Sequence, residues 1–343
     1  MEIAHRQRRS FNNQRKDLQH DEVIIICDFK ENIKLGGGPN EVNQDFYNRQ
    51  QCSVFGCAVV YFDPVLQRTK TGYVDYFSDV LSHDGVYVKD CITHLIQNLV
   101  SICPRLQQQQ GQQPVKKINI WTDVGPHFRC QEVAHFFLKK IPSQFNVAVQ
   151  WNMFAECHGK SIVDGHFGLL SRWLKKIELK KKVTSINTLV ELFNQKLIDA
   201  NIQHQNNIQN KIKNKIKNNI KNNINITSNE LINKFFIYHQ SDSNRAEYIE
   251  NLYIPNISHY YHFESTFDVN INKCYLRIKM LVDSNRYEDK FLHKIKILTK
   301  KETRITKYGS KTTQKNSHKK MCLEGVLYGP NTRRRLQQQS QNL

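Results

Sequence analysis

No run of about eighteen apolar residues occurs anywhere in the sequence, so no transmembrane helix is expected. The N-terminus, MEIAHRQRRSFNNQRKD, has no apolar core and does not read as a signal peptide. Its HRQRRSFNNQRK stretch fits a nuclear import patch, so a nuclear location is the expectation and a cytoplasmic one the alternative. No CxxC pair occurs among the nine cysteines, at 27, 52, 57, 91, 103, 130, 157, 274 and 322. An odd and scattered set argues against a disulfide framework and for reduced thiols inside a cell. Acidic side chains are in deficit, 31 against 50 basic, which leaves a net charge of +19. A charge of that sign favours a polyanionic partner, and nucleic acid comes before a membrane surface.

What is present is a succession of short apolar segments. Residues 23–29, VIIICDF, form a continuous β-branched run, as a strand buried on both faces requires. Residues 52–62 and 72–80 follow as two more strands. Residues 87–103 carry apolar side chains at helical spacing, and Pro104 ends that helix. The run LQQQQGQQP at 106–114 reads as a solvated insertion. Then come a short strand (117–121), a helix (131–141), a strand (146–155) and a helix from Asp164 to Lys176. The first three strands are close enough in sequence for an antiparallel meander, and the later ones should add in parallel through right-handed crossovers. The resulting order, β-β-β-α-β-α-β-α, predicts an α/β fold of the ribonuclease H kind, a mixed five-stranded sheet flanked by helices.

Composition divides the chain further. Residues 1–20 are a basic N-terminal segment, and 21–200 are the folded domain. Residues 201–229 use almost only Asn, Ile, Lys and Gln, with isoleucines at 208, 212, 216, 220 and 224. A disordered insertion is expected there, with an isolated basic helix as the alternative. Residues 230–290 recover ordinary complexity and read as a small C-terminal module, with a C-terminal extension of the first domain as the alternative. Residues 290–335 hold fourteen Lys or Arg against two acids, a net of +12. The tail (291–343) therefore reads as a flexible nucleic-acid-binding arm, with Lys319, Lys320, Arg333, Arg334 and Arg335 as its densest cations.

The acids sharpen this picture. Asp28 interrupts the first apolar strand, where an unpaired carboxylate costs several kcal/mol unless a cation meets it, roughly 2–7 kcal/mol for even a neutral polar group. Asp123 lies just past the fourth strand, and Asp164 begins the helix after the fifth. In the expected fold these three meet at one edge of the sheet. Hard oxygen ligands suit Mg²⁺ or Mn²⁺. Two such ions serve phosphodiester chemistry by activating a water or a 3′-hydroxyl and stabilising the leaving oxygen. Each acid also has a plain structural reading: an ion pair for Asp28, a turn former in TDVGP for Asp123, and a helix cap for Asp164.

The blocks CDFKENIKLG, WTDVGPHF and HGKSIVDGHFG resemble the catalytic core of DDE-type transposases and integrases of the ribonuclease H-like superfamily. The resemblance covers about residues 15–180. It implies that Asp28, Asp123 and Asp164 form the acidic triad, with Glu156 the competing third acid. It also implies self-association and DNA as substrate, with RNA second. His158 and Lys160 would face phosphate or leaving group, and His166, close to Asp164, would support the metal site. Arg172, Lys175, Lys176 and Lys180 form a basic flank on the following helix, a phosphate-tracking face. Only about twenty residues precede the first strand, and no zinc finger or helix-turn-helix is evident, so a truncated transposon relic is expected. Two readings stay open: metal-dependent DNA strand cleavage or transfer, and a non-catalytic nucleic-acid-binding protein that keeps the fold.

Overall fold

A computed structural model describes residues 2–36, 49–64, 66–99, 115–155, 161–217, 234–238, 251–270, 273–284, 288–291 and 297–298. In chain order the elements begin with α1 (Glu2–Lys16), β1 (Glu22–Lys34), β2 (Gln51–Asp63), β3 (Arg68–Ser78) and α2 (Gly85–Gln97). Next come β4 (Lys117–Thr122), α3 (Gln131–His135), a π-helical turn (Phe136–Lys140), α4 (Ile141–Phe145) and β5 (Ala148–Met153). Two long helices follow, α5 (Ile162–Glu178) and α6 (Ile186–Lys217). The remaining strands are β6 (Lys234–Tyr238), β7 (Asn251–Leu252), β8 (His262–Asp268), β9 (Lys273–Lys279), β10 (Glu288–Phe291) and β11 (Ile297–Leu298).

The centre of the main sheet has the order β3-β2-β1-β4-β5. β2 runs antiparallel to β1 and β3, whereas β4 pairs parallel with β1, and β5 with β4. β1 is buried on both faces, which is why its sequence is apolar without alternation. Val23, Ile25 and Cys27 enter one core with residues of α2, α3 and the π turn; Ile24 and Ile26 enter a second with residues of α1, α5 and α6. Each such side chain removed from water contributes about 1.5–3 kcal/mol. The fold is thus α/β, a mixed sheet between helical layers.

Four differences from the sequence reading stand out. The sheet has nine strands, not five: β6 extends the β3 edge in parallel, and β8, β9 and β10 continue from β5 in antiparallel pairing. β6, β8, β9 and β10, from the stretch read as a small C-terminal module, therefore belong to the main sheet, whereas β7 pairs with β11 in a separate two-stranded sheet. The basic N-terminal segment folds as α1 and docks on the second core. Phe11 packs edge-on to Trp121 at 5.3 Å, the buried Gln7 donates to the Met153 carbonyl at 2.8 Å, and Trp121 Nε1 donates to Gln14 at 2.6 Å. The polar run after 200 is helical as far as Lys217, as the continuation of α6. The glutamine loop, residues 218–229 and nearly all of the tail lie outside the described residues. Among the described residues no helix is long and apolar enough to cross a membrane, and six cysteines are free thiols.

Candidate metal centre

Asp28 sits late in β1, directly across from Gly56 on β2, which in turn faces Asp75 on β3. Registered neighbours project to one face of a sheet, so Asp28 and Asp75 share a face with an unfilled glycine position between them. Phe167 of α5 takes that place. A Cβ on Gly56 would lie 2.4 Å from the Phe167 ring, so a glycine is required for the helix to approach. Asp28 Oδ1 accepts the Phe29 backbone N–H at 2.8 Å. Burial pushes its carboxyl up from 3.8 to about 7, the negative charges of Asp123 and Asp164 push in the same direction, and the Phe29 N–H opposes them.

Asp123 follows the last residue of β4, and β4 pairs with β1. The chain then folds back tightly: Asp123 Oδ1 accepts the Gly125 N–H at 2.9 Å, and the Phe128 and Arg129 N–H groups both reach the Gly125 carbonyl. This turn is the TDVGP chemistry read from sequence, and it has a second effect. It folds the imidazole of His127 onto Asp123, with Nε2 3.4 Å from Oδ1. Gly125 again makes the room, because a Cβ there would lie 2.5 Å from His127 Cε1. Aromatic contacts hold the ring, Phe29 edge-on at 5.0 Å and Phe128 at 4.5 Å. His83 stacks on Phe29 at 4.3 Å, lies edge-on to His127 at 6.4 Å and hydrogen-bonds Asn32 at 3.0 Å.

Asp28, Asp123 and His127 each place one ligand atom within 4.8 Å of the other two. The donor set fits a divalent cation on two counts. Two carboxylates and an imidazole are ordinary ligands for such ions, and the buried Nε2 of His127 has no hydrogen bond. That nitrogen faces carboxylates without being satisfied by them.

Asp164 lies where the sequence placed it, at the start of the helix after β5, and its charge reaches Asp28. It is nevertheless exposed, and its carboxylate completes a capping box with Ser161. Oδ2 accepts the Ser161 N–H at 2.6 Å, while Ser161 Oγ accepts from the Val163 and Asp164 N–H groups. The group found beside Asp28 and Asp123 is thus His127, and Asp164 acts on Asp28 through its charge. Glu156, His158 and Lys160 lie outside the described residues, as do Lys319, Lys320 and Arg333 to Arg335. Arg172, Lys175, Lys176 and Lys180 are all exposed along and just beyond α5.

His166 does not support the acids at Asp28. It turns to Asp75, with Nε2 2.5 Å from Oδ2, and stacks on Tyr73 at 4.3 Å. Both side chains are almost fully buried, 2% and 0% exposed. This pair fixes α5 to β3, as Phe167 fixes it to β2. Sequence reasoning missed both the pair and the place of His127. The i, i+4 spacing of Asp123 and His127 across a Gly-Pro turn is the local signal for the latter; no local signal joins Asp75 to His166, ninety-one residues apart.

A family model, described as a domain of unknown function (DUF8701), matches residues 7–249. The chain belongs to this family. The matched span takes in most of α1, every residue of the acidic site and β6. No curated protein and no solved structure matches the chain.

Proposed function

We propose that this chain is a divalent-metal-dependent enzyme that cleaves or joins phosphodiesters in DNA, with a ribonuclease H-like core of the DDE transposase kind. One observation carries the reading: Asp28 and Asp123, from adjacent parallel strands, converge beside His127, and Asp28 bears the electrostatic load of two further carboxylates. A carboxylate whose ionisation is opposed by burial and by neighbouring negative charges, as at Asp28, marks a functional-site candidate. The central strand order β3-β2-β1-β4-β5 and the entry of α5 beside the acids support the ribonuclease H-like assignment. So does the order of the three sequence blocks.

In this reading Asp28 and Asp123 hold the cation, Mg²⁺ or Mn²⁺, and Asp164 supplies the third acid from the first turn of α5. The bound ions supply an activated water or 3′-hydroxyl and charge stabilisation at the scissile phosphate. The protein's part is to converge the acids from two strands and one helix, and to hold them through Gly56, Gly125 and the capping box. The exposed cations Arg172, Lys175 and Lys176 lie on the same helix as Asp164, with Lys180 just beyond it, and would track the backbone of the duplex. Nuclear location and self-association belong to the same proposal. The test is nicking of supercoiled DNA in Mg²⁺ or Mn²⁺ by wild type, Asp28→Asn, Asp123→Asn and Asp164→Asn. Loss in all three with folding intact is expected; full activity in Asp28→Asn or Asp123→Asn would overturn the reading.

A second reading, a nucleic-acid-binding scaffold without catalysis, has one observation in its favour. The Asp164 carboxylate is already engaged at the helix start. Binding would then depend on salt and be indifferent to chelator.

A further inference from the structure

We propose that His127 is a metal ligand, so that the centre is a mixed nitrogen–oxygen site selective for first-row transition ions, Mn²⁺ among them, over Mg²⁺. This rests on the metal-dependent reading above and adds a donor that the acidic triad does not contain.

Three features of the structure converge on it. The first is position: the imidazole offers a ligand atom within 4.8 Å of one on Asp28 and one on Asp123. The second is the state of that atom. Nε2 is buried and lies 3.4 Å from Asp123 Oδ1, yet it makes no hydrogen bond. A buried ring nitrogen left without a hydrogen bond costs free energy, and such groups in folded proteins have a reason. The third is how the ring is held. Phe29, Phe128 and the His83 ring surround it and restrict its orientation. Gly125 is the only residue type that lets the ring lie there, since any Cβ would overlap Cε1. A surface histidine needs none of this.

The chemistry sets the ion. Mg²⁺ prefers an all-oxygen octahedral shell and dehydrates reluctantly. Imidazole suits the borderline transition ions, whose affinity for such a site rises along the first row.

The test uses the full chain and electron paramagnetic resonance of bound Mn²⁺, with circular dichroism to confirm folding. Wild type should bind Mn²⁺ at least about tenfold tighter than Mg²⁺, and the bound ion should show ¹⁴N modulation from a directly coordinated imidazole. His127→Asn should abolish the nitrogen signal and bring the two affinities together. Gly125→Ala keeps the histidine but displaces its ring, and should weaken the same signal. Bound Mn²⁺ without nitrogen coupling in wild type, or coupling that persists in His127→Asn, would overturn this inference and leave the carboxylate site standing. Failure of wild type to bind either ion would overturn both.

Discussion

The load on Asp28 can be measured without any ion present. Its carboxyl is pushed up from 3.8 to about 7, mainly by burial and then by Asp123 and Asp164. In the unfolded chain the group ionises near its ordinary value, so between about pH 4 and pH 7 the folded state binds more protons than the unfolded one. Stability must therefore fall as pH rises through that window and level off above it. A rise from 3.8 to about 7 corresponds to a loss of about 4 kcal/mol between roughly pH 4 and pH 8. Asp28→Asn removes the titration while keeping an oxygen for the Phe29 N–H. Urea denaturation in chelator at several pH values, wild type against variant, isolates the effect, because other titrating groups largely cancel in the difference. The variant should gain on wild type by about 4 kcal/mol across the window. A divalent ion at a hundredfold its Kd should then return about 2.7 kcal/mol to wild type at pH 8 and little to the variant. Equal pH slopes for the two proteins would refute the claim that the acids converge on a buried Asp28.

Three further outcomes are expected. Gly56→Ala places a Cβ 2.4 Å from the Phe167 ring and should cost about 1–3 kcal/mol by displacing α5, read as a lower urea midpoint. His166→Ala removes the imidazole that meets the buried Asp75 Oδ2 and should cost about 1–3 kcal/mol, whereas Asp75→Leu combined with His166→Leu should recover much of that loss. Ser161→Ala removes the cap of α5 at a cost of about 1 kcal/mol and should leave Mn²⁺ affinity intact, while Asp164→Asn should weaken it; equal metal affinity in both would confine Asp164 to capping.

The apolar runs carry most of what was legible at the level of residues. VIIICDF, CSVFGCAVVYF and KINIW are strands because β-branched and aromatic side chains filled both faces at a period of two, a local property that any neighbour would have to respect. Asp28 and Asp123 were visible for the same reason, as charges set within or at the end of such runs. Helix positions came from the spacing of apolar residues; at α5 the cap proved to be Ser161, with Asp164 three residues into the capping box. The terminal helix α1 escaped notice because its buried positions include Gln7 and Gln14, which become core residues only by bonding to Met153 and Trp121 far along the chain.

The sequence by itself thus determined the five central strands, their succession along the chain and the placing of Asp28 and Asp123 within or at the end of them. The tertiary structure alone decided what surrounds them. It seated His127 beside the carboxylates through a glycine turn, turned His166 away to Asp75, and continued the sheet from β3 into β6 and from β5 into β8. The physical reason is the range of the interaction. Strand and helix patterns are written by neighbours two to four residues apart. Buried polar pairs and edge strands are selected by partners tens to hundreds of residues away, whose identity no local pattern carries.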